Sequence, residues 1–331
     1  MSDIKKSLSV SVLVGLSILG SAGCRELSRQ PGSSAYIFPS VAPDPSKPWY
    51  FPLNKPVGDY TQTPKWVIAQ WGIPVDLNGS QAVAPGNSWS IANAYGAVQY
   101  NVSGANGQSY TIAQNGTGAA LPCGTEYDLL LQPVGIDYPT APQGSAPSKP
   151  LDQLANLGFR LGVTVNFEAI QQRCAAPLNY NYGRDFVAFV LSSTTGQTLF
   201  YQVQLRTVGR SGLPNMTWCP NNGDPATAHL FCVDDDISRV NSSLQDIATV
   251  GQRVQYATDM LPRLKQVLQS NFVRFDGSGE MIDGNIGHWR LTGLYFGSQV
   301  LGGANIRATF DSFCLIEQEP GDSTSNTVCT I

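Results

Sequence analysis

From residue 65 onward, apolar side chains recur at every second position in short runs. Residues 65–71 alternate in this way, and so do 88–102, through Trp89, Ile91, Val98, Tyr100 and Val102. Such a period puts one side of an extended chain on a core and the other toward polar surroundings. Further runs lie at 110–113, 126–131 and 159–170. The last places Leu161, Val163, Val165 and Phe167 on one face and Thr164, Asn166 and Glu168 on the other. Residues 185–191 are almost wholly apolar, the pattern of a central strand covered on both sides. Residues 198–207 set Leu199, Tyr201, Val203 and Leu205 on one side. Runs at 229–233, 253–257, 288–296 and 304–316 complete ten or eleven predicted strands, with Gly, Pro, Asn and Ser clusters between them. Helical spacing is scarce. One helix is predicted over 261–270, with Pro262 in its first turn and Leu264, Val267 and Leu268 as its buried stripe. Ser242 and Gln245 have capping-box spacing, which predicts a second short helix over 242–250. The whole pattern is that of an all-β antiparallel sandwich with one or two short helices.

The first 64 residues follow another pattern. Residues 1–6 carry Lys5 and Lys6, residues 7–20 are apolar or small, and Ser21, Ala22 and Gly23 lead into Cys24. These are the three regions of an export signal. The apolar run is too short to span a bilayer comfortably. Small residues directly before a cysteine resemble the lipobox of bacterial lipoproteins. That resemblance implies lipidation of Cys24 as the first mature residue. Ser21 departs from it, since Leu is usual there. Ordinary cleavage near the same place is the alternative, and both readings export the chain. Residues 25–64 are dense in proline, from Pro31 to Pro64, and read as an extended tether. Tyr36, Phe38, Trp49, Tyr50 and Phe51 imply that its second half docks on the folded body. The expected organisation is a signal peptide at 1–23, a Pro-rich tether at 24–64 and a single β-sandwich domain at 65–331. The Pro/Ala/Ser stretch 139–150 is read as a long loop within that domain.

Composition narrows the chemistry. The 331 residues include 20 Lys and Arg against 24 Asp and Glu, so the net charge is −4, and only 13% of residues are charged. A nucleic-acid partner calls for a basic surplus, and there is none. Removing residues 1–23 leaves 18 basic and 23 acidic side chains, net −5, which points to a neutral rather than polyanionic ligand. There are seven cysteines. With Cys24 given to lipid, six remain for disulfides in an exported chain. No C-x-x-C occurs, so a zinc knuckle or redox motif is disfavoured. Joining sequence neighbours gives Cys123–Cys174, Cys219–Cys232 and Cys314–Cys329.

Carbohydrate recognition fits a chain rich in aromatic residues and poor in charge. Sugars present apolar faces and many hydroxyls, which suit aromatic rings beside Asn, Gln, Asp and Arg. Trp71, Trp89, Tyr95, Tyr100, Trp218 and Trp289 are the candidate platforms. Packing in a sandwich core is the competing use of each. Residues 253–316 resemble the closing part of secreted jelly-roll domains of the lectin and carbohydrate-binding kind. There a strand, a short helix near a proline, a Trp-bearing strand, a glycine-rich turn and a last strand follow in order. Trp289, Gly293, Gly297, Gly302, Gly303 and Phe310 hold the matching places. The resemblance implies a jelly-roll or concanavalin-like sandwich, in a class that includes pure binders and glycoside hydrolases.

Hydrolysis would need two facing carboxylates. Glu126 and Asp128 share a strand face, and Glu168 lies on the polar face of 159–170. Solvent-facing strand charges are the plainer reading of all three. Calcium takes six to eight oxygens, and two oxygen-rich stretches could supply some. One is Asp234–Asp235–Asp236, and the other contains Asp276, Glu280 and Asp283. A structural calcium is the one cofactor these admit. An H-E-x-x-H, a G-x-S-x-G and a phosphate-binding loop are all absent. The reading is an exported, lipid-anchored protein of the cell envelope, at the outer membrane or surface. It binds a glycan or other surface polymer without catalysis. A glycoside hydrolase or lyase on the same fold is the first alternative, and a structural or adhesive envelope protein the second.

Overall fold

The computed structural model describes residues 35–36, 50–52, 65–71, 77, 88–104, 107–118, 123, 126–134, 148–174, 181–209, 229–247, 249–274 and 278–321. They form two seven-stranded sheets packed face to face. Strands are numbered here in chain order. Sheet I runs β12 (Arg253–Asp259), β8 (Asn156–Gln171), β14 (Gly303–Gln318), β6 (Gly107–Asn115), β5 (Gly96–Gly104), β4 (Ser88–Ala92). The short β1 (Ala35–Tyr36) joins the far end of β14, beyond the reach of β6. Sheet II runs β11 (Leu230–Asp236), β10 (Thr198–Val208), β9 (Tyr182–Ser193), β13 (Trp289–Leu301), β7 (Glu126–Val134), β3 (Lys65–Trp71), β2 (Tyr50–Pro52). The molecule is an all-β jelly-roll sandwich. One pair departs from the antiparallel rule, since β11 lies parallel to β10. A parallel pair needs a long connection, and residues 209–229 separate the two strands.

Alternation builds the core. Phe159, Leu161, Val163 and Val165 of β8 face Val187, Phe189 and Leu191 of β9 and Leu294, Phe296 and Val300 of β13. Phe159 and Phe189 meet edge to face at 5.5 Å. The helix expected over 261–270 is α2 (Leu261–Leu268), which buries Leu261, Leu264, Val267 and Leu268. The helix expected over 242–250 does not form among the described residues. A single turn, α1 (Ile237–Val240), ends β11 instead. Asn241 then accepts hydrogen bonds from the backbone and hydroxyl of Ser243. Such local bonds favour a turn over a helix.

The Cys123–Cys174 disulfide is present, with 5.5 Å between the Cα atoms. It ties the approach to β7 to the end of β8. Cys232 is also disulfide-bonded. Cys219, Cys329 and the side chain of Cys314 lie outside the described residues, as do Cys24 and Trp218.

A one-residue bulge in β8 has large consequences. Ala308 pairs with Val165 and Arg307 with Phe167, so Asn166 is extra. Because side chains alternate with period two, one extra residue exchanges the two faces of everything after it. Phe167 was expected on the core face and Glu168 on the polar face. Instead Phe167 points outward, 46% exposed. Glu168 turns in between the sheets.

Candidate binding face

The two candidate platforms Trp289 and Tyr100 are core residues, 0% and 1% exposed. The Trp289 indole N–H donates to the Asp283 carbonyl at 2.7 Å. The Tyr100 ring lies tilted against Tyr110, with centroids 5.0 Å apart, and burial pushes its hydroxyl up to about 12. Neither can form a surface strip. Tyr95 is half-buried and packs on the core. Trp89 pairs in register with buried Tyr100, and Trp71 with Asp128. The side chains of Trp89 and Trp71 lie outside the described residues.

The carboxylates fall in three different places. Glu168 accepts from Arg206 Nη2 at 2.9 Å, and Arg206 Nη1 donates to Asp185 at 2.8 Å. Ser298 Oγ donates to the other Asp185 oxygen. Asp185 is 0% exposed. Burial pushes its carboxyl up, Arg206 and Ser298 pull it down, and the net shift is upward. The chain Glu168–Arg206–Asp185–Ser298 therefore bridges the two sheets from inside. Asp128 lies on the far side of sheet II and accepts from Gln299 Nε2 at 2.7 Å. Glu168 and Asp128 thus have a sheet between them and cannot flank one bond. Glu126 is on β7, with its side chain outside the described residues.

The outer surface of sheet II is closed. Leu130, Phe186, Ala188 and Tyr295 are buried there, with Val190 and Phe200 against them. Arg184 lies 4.9 Å over the Phe186 ring and pairs with Gln202 and Asp234. Asp234 and Asp128 share this face but are four strands apart. At about 4.8 Å per strand their backbones are at least about 19 Å apart, too far for a catalytic pair.

Calcium at the acidic run is not supported by the strand geometry. Register pairs Asp234 and Asp236 with outward-facing Gln202 and Gln204, and Asp235 with core-facing Val203. Asp235 is used by Tyr201 and Arg263, on the inner side. Three neighbours in a strand cannot converge on one ion. Asp276 lies outside the described residues. Glu280 is paired with Arg274 and His229, and Asp283 with His288. Gln197 links the two, donating to Glu280 at 3.0 Å and accepting from the Asp283 N–H at 2.7 Å. Gln197, Ser193 and Thr195 thus pin the 278–288 segment to the β9–β10 hairpin, His229 ties it to the start of β11, and His288 closes the segment on itself. Burial raises the Asp283 carboxyl, but bonds from the Asn285 N–H, His288 and Ser193 outweigh it and hold the group below its ordinary value. Among the described residues no three His, Cys, Asp or Glu groups converge as metal ligands. Ser193 bonds Asp283 rather than the free nitrogen of His288, which faces Asn285, so no nucleophilic triad results.

The outer surface of sheet I is open and differently made. One cross-strand row is Ser90, Gln99, Thr111, Thr309, Thr164 and Arg253. The hydroxyls of Thr111 and Thr309 meet at 2.8 Å, and Thr309 donates to Asn166 at 2.8 Å. The next row is Ala92, Ala97, Ala113, Arg307 and Phe167. Three small side chains in line make a shallow lane, bounded on its other side by Asn115 and Asn305. From Ala92 to Phe167 the lane crosses four strand spacings, about 19 Å. Of these residues the sequence pattern placed Thr164 and Asn166 on the polar face and Phe167 in the core, and it named none of them as a binding residue. Each strand's alternation was visible, but a row across strands needs the register.

No family model and no curated protein matches this chain. Several solved structures resemble it. The chain is 10% identical to endoglucanase 3 of family GH12 from Trichoderma harzianum, covering 75% of this chain and 96% of that one, with TM-score 0.36. The family 11 xylanase of Neocallimastix patriciarum is 9% identical, covering 73% and 94%, with TM-score 0.32. The family 12 xyloglucanase of Bacillus licheniformis is 10% identical, covering 88% and 99%, with TM-score 0.33.

Proposed function

We propose that the protein binds a polysaccharide chain along the open face of sheet I, as an exported sandwich lipid-anchored at Cys24. The alanine lane carries this reading. It is long, shallow and lined by hydroxyl and amide side chains, which suits a chain of sugar rings. Aromatic residues contribute less than their number suggests, because Tyr100 and Trp289 are spent on the core. The test is a binding panel of soluble and insoluble polysaccharides with the full chain and with Ala113→Trp, which would fill the lane. The expected result is retention on at least one polymer, lost in the variant while its circular dichroism is unchanged. Retention that survives Ala113→Trp, or none on any polymer, sinks the reading.

Glycoside hydrolysis is the second reading, and one observation favours it. Glu126 and Asp128 are alternate residues of β7, about 6.7 Å apart at the backbone. Carboxyl pairs of glycosidases are separated by about 5–9.5 Å. Release of reducing ends from a bound polymer, abolished by Glu126→Gln and by Asp128→Asn, would support it. Binding without product would remove it.

A further inference from the structure

We propose that Phe167 and Arg307 form a subsite for a hexuronic acid residue at the β8 end of the lane. This rests on the polysaccharide reading and names the ligand's charge class. The two residues are direct partners across β8 and β14, so their Cβ atoms are about 5 Å apart and both side chains can reach one sugar ring. Phe167 is 46% exposed although it follows a run of core residues. The Asn166 bulge alone puts it there, and bulges commonly re-aim a side chain at a working surface. An exposed Phe ring offers a flat apolar surface to the C–H face of a pyranose.

The second group supplies charge. Arg307 is exposed, and among the described residues it makes no hydrogen bond or ion pair. The other cations of this face are engaged. Arg253 holds Asp311 through two nitrogens, and Arg160 donates to the Ser312 carbonyl. The same bulge turns Glu168, the residue after Phe167, inward to Arg206. Arg307 is therefore left with an unneutralised guanidinium beside an aromatic ring. A planar guanidinium binds a carboxylate bidentately. A ring stacked on Phe167 with a carboxylate at its edge satisfies both, and a hexuronic acid has that shape. This local charge runs against the net acidity of the chain, which on its own pointed to a neutral ligand.

The experiment compares polyuronate oligosaccharides with their carboxyl-reduced counterparts, which keep the linkages and lose only the charge. Calorimetry with the full chain should show the acidic oligomers bound at least about tenfold tighter, the worth of one charge-assisted pair. Arg307→Gln should erase that preference and Arg307→Lys restore part of it. Phe167→Ala should weaken both ligand classes. Both side chains are exposed, so circular dichroism should be unchanged in all three variants. Equal binding of the two classes, indifferent to Arg307→Gln, overturns the subsite and leaves the polysaccharide reading standing. Failure to bind any acidic or neutral oligosaccharide overturns both.

Discussion

The outer faces of the two sheets are built from opposite patterns. On sheet I, β6 alternates from Tyr110 onward, with buried Tyr110, Ile112 and Gln114 between half-exposed Thr111, Ala113 and Asn115. On sheet II, β9 is buried at almost every position from Tyr182 to Ser193. A sheet with one open face must keep polar residues at alternate sites, and a sheet covered on both faces need not. The closed face holds its few charges in fixed pairs, as Arg184 does with Asp234. The open face keeps an unpaired cation. A recognition surface belongs where polar groups can still exchange water for ligand.

Two phenylalanines test this difference most severely. Phe186, on the closed face, is 1% exposed, and Phe167, on the open face, is 46% exposed. Phe186→Ala should cost about 3–5 kcal/mol in urea denaturation. Phe167→Ala should stay within about 0.5 kcal/mol. Similar losses at both positions would break the distinction. Glu168→Gln should cost about 1 kcal/mol, because its partner Arg206 is buried but Glu168 itself sits at the rim. It should leave ligand binding and any turnover unchanged, whereas a catalytic Glu168 would lose turnover outright.

A smaller effect belongs to the end of the sandwich. Asp283 is held below its ordinary value in the folded state. Its contribution is therefore full above the unfolded carboxylate value of about 3.9 and is lost as the pH falls through the lower folded value. Wild type should exceed Asp283→Asn in melting temperature near neutrality, and the gap should close below about pH 4. A gap that widened in acid would contradict the hydrogen bonds assigned to this carboxylate. Smallest of all, Thr111→Ala on the open face should change stability by no more than about 0.5 kcal/mol, read by the same denaturation curves.

Much of the fold was legible in local sequence. The runs at 159–170, 185–191, 198–207 and 304–316 became β8, β9, β10 and β14, because alternation is enforced wherever one face meets a core. The helix at 261–268 was legible from Pro262 and its apolar stripe. The Ser242–Gln245 spacing misled, because Asn241 offered the backbone a competing local bond. The aromatic residues misled in another way. Nothing in the neighbourhood of Trp289 or Tyr100 says whether its strand face is turned inward or outward.

The sequence by itself determined where most of the strands lie and which residues share a strand face, since both follow from period two over short runs. Only the tertiary structure decided the bulge at Asn166, the register that lines up Ala92, Ala97, Ala113, Arg307 and Phe167, and the salt bridges that join the sheets. These depend on partners as far apart as Glu168 and Arg206, or Ala113 and Arg307. A bulge is one residue's surplus measured against a neighbouring strand, so it exists only once that neighbour is in place. The exchange of Phe167 for Glu168 on the open face is therefore a property of pairing, and neither strand carries it alone.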